Sequence, residues 1–347
     1  MVFERVQVGG CRSYLVGCAE SCVAALIDPE VSQIDHYQAL AAQQGVRIAY
    51  AIDTHTHADH FSGAQRLARL LNVPVVMHWA SPAPFADMRL DDGDVLMIGG
   101  LRLNALHTPG HTADSMCLVL EDRVFTGDTL LIGGCGRTDL PTGSAVQLYE
   151  SLFERLLKLD PSLMVYPAHD YSGRDHSTLG EEIASNPRLQ VSGPDAFADM
   201  MGALNLSAPQ HLTEALRTNM SGGRTVGEML AEAGARVAFM SVDELGRRIA
   251  AGANDLLVLD VREADAFRAG HIPGSRHLPR GQIELRVNKD LPDPTRRIVV
   301  ACEIGKVSTL AAATLRDLGF PRAVGLDGGM TAWRERGLPV ELGETPP

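Results

Sequence analysis

Short apolar runs separated by turn residues dominate the first half of the chain. Runs at 12–17, 24–28, 48–53, 73–77, 101–107, 116–120 and 123–126 have strand length and are rich in aliphatic residues. Residues 30–44 and 63–71 instead space their apolar side chains three and four apart, which predicts amphipathic helices. Strands of mixed spacing interleaved with helices predict sheets covered by helices. Another helix is predicted over 144–159, stopped by Asp160-Pro161. After Asn186-Pro187 strand signals cease. Residues 194–234 read as helical, with Met200, Met201, Leu204 and Leu206 as a core-facing stripe, and are expected to pack as a tail on the first domain.

A new rhythm begins after Ala233-Gly234-Ala235. Predicted strands at 256–260, 297–302 and 323–326 alternate with predicted helices at 242–251, 264–269, 308–318 and 330–335. That alternation predicts a parallel sheet with helices on both faces. The chain is therefore expected to form two domains, 1–235 and 236–347. A length of 347 residues suits two cores, and 45% hydrophobic with 21% charged residues suits a globular protein.

The net charge of -12, with no Lys/Arg run, argues against nucleic-acid or anionic-membrane partners. No apolar run approaches the ~20 residues of a membrane span. The start, MVFERVQVGG, has no apolar segment of the signal-peptide kind. The six cysteines, Cys11, Cys18, Cys22, Cys117, Cys135 and Cys302, form no C-x-x-C pair. A cytoplasmic protein without a disulfide scaffold is expected. A two-fold dimer is the expected assembly, on general frequency alone.

Candidate chemistry concentrates at predicted strand ends. Thr54-His55-Thr56-His57-Ala58-Asp59-His60 follows the run at 48–52 and sets three imidazoles and a carboxylate within six residues. Burying so much polarity with no ion to hold would cost several kcal/mol, roughly. Neutral imidazole and carboxylate are ligands for zinc, iron and related ions. His107-Thr108-Pro109-Gly110-His111, Phe125-Thr126-Gly127-Asp128 and Tyr166-Pro167-Ala168-His169 repeat the arrangement of strand, turn and ligand. The residues alone point to a metal held by His55, His57, Asp59, His60, His111, Asp128 and His169 or a subset of them.

This set resembles the metallo-β-lactamase superfamily over roughly the first 230 residues. The resemblance implies an αββα sandwich and leaves the reaction open. Gly134-Cys135-Gly136-Arg137-Thr138-Asp139, Ala168-His169-Asp170-Tyr171 and Asn186-Pro187-Arg188-Leu189 look like the persulfide dioxygenase family within it. Glyoxalase II shares the Gly-Cys-Gly-Arg stretch but typically carries His-Glu-Tyr where this chain has His169-Asp170-Tyr171. The family resemblance implies one Fe(II) per chain, held by His55, His111 and Asp128. His57, Asp59, His60 and His169 would then form a second metal site or an outer shell that orients ligands and water. It also implies glutathione persulfide and O2 as substrates, with Arg137, Tyr171 and Arg188 near the glutathione. The alternative is a glyoxalase II-like thioesterase with two zinc ions and a sulfur-sensing C-terminal module.

In the second domain, Cys302 ends a buried strand and is followed by Glu303, Ile304, Gly305, Lys306, Val307 and Ser308 before a helix. Backbone N–H groups and a helix N-terminus at such a loop stabilise a thiolate or a bound anion. Leu259-Asp260-Val261-Arg262-Glu263, Gly270-His271-Ile272-Pro273-Gly274-Ser275 and Leu326-Asp327-Gly328-Gly329-Met330-Thr331-Ala332-Trp333 resemble the rhodanese family over 238–343. That implies an α/β domain with a central parallel sheet, in which Cys302 passes sulfur between thiosulfate and glutathione. Cdc25-type phosphatases share this architecture but need an Arg after five intervening residues. The loop here offers Val307 and Ser308, which disfavours phosphate hydrolysis. Many single-domain rhodaneses carry Arg where this chain has Val307, which puts the donor in question, with Lys306 as the replacement charge. Together the resemblances imply a bifunctional sulfur enzyme.

Overall fold

The computed structural model describes residues 1–343 apart from 172, 175, 205, 208–211, 254 and 292. The chain divides into two compact units, Met1–Gly223 and Arg224–Pro347.

The first unit is built on two six-stranded sheets. Strands β1 (Val2–Val8), β2 (Cys11–Cys18) and β3 (Val23–Ile27) run antiparallel; β4 (Arg47–Ile52), β5 (Val75–His78) and β6 (Met88–Leu90) continue the sheet in parallel. The second sheet has β7 (Val95–Ile98), β8 (Leu101–His107), β9 (Met116–Leu120) and β10 (Arg123–Gly127), all antiparallel. A short hairpin, β11 (Leu130–Leu131) and β12 (Gly134–Cys135), follows. Then β13 (Met164–Pro167) joins the second sheet parallel to β10, with β14 (Ser177–Thr178) antiparallel at its edge.

Period-two alternation distributes side chains among the layers. In β2 and β3, Tyr14, Val16, Ala25 and Ile27 face the space between the sheets, where Leu103, Met116, Leu118 and Phe125 meet them. Leu15, Ala24 and Leu26 point the other way, onto α1 (Ile34–Gln43) and α2 (Ala64–Leu71). In β4 a bulge interrupts this rule: Ile48 faces the helices, yet Tyr50 faces the sheets. Across the second sheet, Cys117 and Val124 turn outward to Leu148, Leu152, Leu179 and Phe197 from α3 (Ala145–Glu150) and the turns after it, α4 (Leu179–Ser185) and α5 (Pro194–Gly202). The layers are helix, sheet, sheet, helix, as the resemblance implied. The helix predicted over 144–159 is α3 continued by a π-helical turn at Ser151–Arg155 and a 3-10 turn at Leu156–Lys158. Helix α6 (Leu212–Ser221) ends the unit.

The division falls earlier than the 235/236 boundary expected from sequence. Helix α7 (Val226–Arg236), expected in the tail of the first domain, lies in the second unit, where Ala233 and the following Val237 enter that unit's core. An amphipathic helix needs an apolar surface to bury its stripe, and its own sequence does not say which core supplies one.

The second unit has one parallel sheet, ordered β15 (Phe239–Met240), β19 (Ala323–Leu326), β18 (Arg297–Ala301), β16 (Leu256–Asp260), β17 (Arg276–His277). In the central β18, Ile298 and Val300 face α10 (Ile283–Asp290) and α11 (Lys306–Asp317), while Val299 and Ala301 face α8 (Val242–Ala250) and α12 (Gly329–Glu335). The short α9 (Ala264–Arg268) follows β16.

Candidate metal centre and cysteine loop

The metal-type residues leave the sandwich where strands end. His55, His57, Asp59 and His60 lie in the loop after β4, His111 in the loop after β8, Asp128 directly after β10 and His169 after β13. The two packed sheets thereby hold residues from four loops at one edge of the sandwich. They separate into three buried or half-buried groups: His55, His111 and Asp128; Cys11, Asp59, His60 and His169; and Asp28, Asp53 and His57.

Hydrogen bonds orient the two imidazoles of the first group. The carbonyl of Arg137 can only accept, so His111 Nδ1, 2.8 Å away, carries a proton and donates to it, which leaves Nε2 as the nitrogen on the Asp128 side. The Thr54 hydroxyl donates to Asp28, so its oxygen accepts from His55 Nδ1 at 3.0 Å, again leaving Nε2 on the Asp128 side. His55 Nε2 has no hydrogen-bond partner among the described residues, although it is fully buried. Asp128 Oδ2 lies 4.0 Å from it and 3.5 Å from His111 Nε2. Burial, and then His57, hold His55 down to about 3, so it is neutral. Burial pushes the Asp128 carboxyl up, but His169, then His111 and His55, outweigh this and keep it ionised. Two imidazoles and one carboxylate that face one another, with the buried His55 nitrogen left without a hydrogen-bond partner among the described residues, fit a divalent metal.

His57 does not join them. Its Nε2 sits 3.2 Å from Asp28 Oδ1 and 3.8 Å from Asp53 Oδ1. Burial and then the neighbouring Asp28 push the Asp53 carboxyl up to about 8. His169 bridges the other groups, with Nδ1 2.6 Å from Asp128 Oδ1 and Nε2 2.8 Å from Asp59 Oδ2. Cys11 stands 3.8 Å from Asp59 Oδ2. Sequence reasoning missed Cys11, Asp28 and Asp53. The acid that ends the buried run at 24–28 was a legible signal; a lone cysteine before a strand was not. Also missed was the Arg12–Asp170 ion pair at 2.8 Å, buried on both sides, which ties the loop after β13 to β2.

Glycine is required at Gly136 and Gly127, among other places. A Cβ on Gly136 would fall 2.1 Å from the Asp128 carbonyl oxygen and 2.9 Å from the His111 ring. Gly127 has φ +50°, and its Cβ would lie 2.6 Å from Thr54 Oγ1. Ligand loops approach these backbones too closely for a side chain.

Beside the metal group is a cavity of about 440 Å³, whose walls include Asp59, His111, Asp128, Arg137, Tyr171 and Arg188. All three residues singled out for substrate therefore line one cavity with the metal group. Arg137 is gripped by Asp139 through two bonds of 2.6 Å and reaches the Ser207 carbonyl at 2.8 Å. Arg188 has no ion-pair partner among the described residues. Tyr171 is exposed and lies parallel to the His169 ring, centroids 6.0 Å apart.

In the second unit Cys302 follows β18, and α11 begins at Lys306, two residues earlier than predicted. Gly305, at φ +86°, turns the loop so that the Ser308 N–H donates to Cys302 Sγ at 3.2 Å. The Ser308 hydroxyl lies 3.4 Å from the same sulfur. Glu303 is held by Arg262 and Arg334, and Arg262 in turn is clamped by Asp260. Ile304 and Val307 are exposed.

The metallo-beta-lactamase superfamily profile matches residues 6–169, and the rhodanese-like domain profile matches residues 241–336. Human persulfide dioxygenase ETHE1, mitochondrial, is 42% identical over 214 residues, covering 61% of this chain and 84% of that protein. The crystal structure of ETHE1 from Myxococcus xanthus superposes with a TM-score of 0.63 at 37% identity, covering 65% of this chain and all of that one. A metallo-beta-lactamase structure from Staphylococcus aureus shares the fold over 94% of this chain and 98% of its own, with a TM-score of 0.61 at 24% identity. By these matches and the site that accompanies them, the chain belongs to the persulfide dioxygenase family of the metallo-β-lactamase superfamily, with a rhodanese domain behind the metal-binding one.

Proposed function

We propose that the first unit oxygenates glutathione persulfide, with one Fe(II) held by His55, His111 and Asp128. The balanced reaction is persulfide plus O2 plus water giving glutathione, sulfite and two protons. The observation that carries this reading is the set of two imidazoles and one carboxylate, with His57 taken up by Asp28 and Asp53. A metal held by such a set would have room for substrate and oxygen beside its protein ligands. Ferrous iron bound there would supply the electron transfer that activates oxygen.

The chain's own residues do the rest. Arg188 offers its fork to a carboxylate of the glutathione moiety. Arg137, already anchored, shapes the wall and keeps donors spare, and Tyr171 stands at the mouth. Leu131, Leu140 and Leu204 supply apolar wall to the cavity that would receive the substrate. Asp59, His60 and His169 orient water and the Asp128 carboxylate through their hydrogen bonds. The test is metal analysis together with oxygen uptake on glutathione persulfide. One iron per chain with oxygen consumed is the expected result. Two zinc ions with hydrolysis of S-lactoylglutathione would overturn the reading in favour of a thioesterase.

For the second unit, we propose that Cys302 carries sulfane sulfur between thiosulfate and glutathione. The Cys302 thiolate attacks the outer sulfur of thiosulfate, a new S–S bond forms, and sulfite departs with the electrons of the broken one. Glutathione thiolate then takes the outer sulfur and restores Cys302. The Ser308 N–H and the start of α11 stabilise the anionic sulfur. Thiosulfate-to-glutathione transfer that survives Cys302→Ser would remove this assignment.

A further inference from the structure

We infer that Asn219, on α6 and far from the ligands in sequence, is a positioning residue that holds the metal loop in its ligating shape. This rests on the assignment of the metal to the loop that begins at His55.

The Asn219 side chain is 6% exposed and spends its whole amide on that loop. One Nδ2 proton goes to the His57 carbonyl and the other to the His60 carbonyl, each at 2.8 Å. Its Oδ1 accepts from the Ser62 N–H at 3.1 Å. The loop at 55–60 lies in neither helix nor strand, so it has no ladder of its own to satisfy these groups. Its early part is staked elsewhere: Thr54 N–H donates to Asp28 Oδ1 at 2.7 Å, and the Thr56 hydroxyl to Asp114 Oδ2 at 2.6 Å. Asn219 supplies the stakes at its far end, on both sides of Ala58-Asp59.

The chemistry of the amide is specific to this task. Two carbonyl oxygens and one N–H must be met from a single side chain, which needs two donor protons and one acceptor. Aspartate has the same shape and keeps the acceptor, but would press a carboxylate oxygen against two carbonyl oxygens. Alanine removes the clamp and leaves space that a water can enter, so its effect should be milder.

The test compares Asn219→Asp and Asn219→Ala with the wild-type full chain loaded with metal. Loss of metal to an excess of ferrous chelator is timed, and unfolding temperatures are measured on the stripped proteins. Leu71→Ala, a truncation on α2 in the same unit, serves as a control for general destabilisation. Asn219→Asp is expected to release metal about tenfold faster or more, with Asn219→Ala between it and wild type. Its kcat on glutathione persulfide should fall while KM stays within about twofold. Leu71→Ala should keep the wild-type release rate. Wild-type release from Asn219→Asp would overturn the inference. So would equal acceleration in Leu71→Ala at the same loss of unfolding temperature, since the clamp would then act only through stability. If the protein carries another metal than iron, the release is read on that metal, and the failure then belongs to the iron assignment alone.

Discussion

His111 and Arg137 are joined by a 2.8 Å hydrogen bond from the imidazole Nδ1 to the main-chain carbonyl. Arg137, which lines the cavity, thus also orients the His111 imidazole with its backbone. Gly136, immediately before it, is what lets that backbone come so close. Substituting Gly136→Ala should push the loop away from Asp128 and His111. Metal content should fall about tenfold, with a stability loss of roughly 1–3 kcal/mol from overpacking. Metal analysis and denaturant unfolding check both.

Asp128→Ala removes the anionic member of the ligand set and leaves His169 without its 2.6 Å partner. Bound metal should drop by roughly 100-fold or more, and oxygen uptake with it. Full metal occupancy in this variant would show that the ligands lie elsewhere.

The Arg188 guanidinium, which has no ion-pair partner among the described residues, makes a separable prediction. Arg188→Ala should raise KM for glutathione persulfide by about tenfold, the loss of one charged hydrogen-bonded pair, with kcat little changed. Steady-state oxygen consumption measures it. A fall in kcat at constant KM would instead mean that Arg188 acts on the reacting atoms.

Cys302→Ser should abolish transfer of sulfur from thiosulfate while leaving oxygen uptake on glutathione persulfide at the wild-type rate. The two assays read different units of the chain. Loss of both would point to misfolding and is checked by the unfolding profile.

Arg12 and Asp170 form an ion pair that is 1% exposed on each side. Removing one partner strands the other charge in the interior, so Asp170→Ala should cost about 3–5 kcal/mol in chemical unfolding. A loss below about 1 kcal/mol would mean that water reaches the pair.

Much of the metal site was legible because each ligand is announced by its own strand. His55, His111, Asp128 and His169 each follow an apolar run, and a run of that length predicts its own end. The division of labour among them was implied by the family resemblance but was not legible in the residues themselves. Nothing local distinguishes His57, which faces Asp28 and Asp53, from His55 two residues earlier. The change of partner comes from the loop's path, which is set by contacts with β3 and α6. Asn219 and Cys11 escaped for the same reason: each meets the site only across the fold. Helix α7 was visible as a helix but assigned to the wrong core, because an amphipathic stripe records burial without recording what buries it.

The amino-acid sequence by itself determined the two fold types, the strand-end ligands and the Cys302 loop. Periodicity of two or 3.6 residues and the residues after each strand are properties of neighbouring positions, and short-range sterics and hydrophobic burial act on them directly. Only the tertiary structure decided which imidazoles share the Asp128 carboxylate, which nitrogen of each faces it, and which distant side chains hold the loop in place. Those outcomes depend on hydrogen bonds of a few ångströms between segments that only the folded first unit brings together, such as Asn219 to His57 and Arg137 to His111.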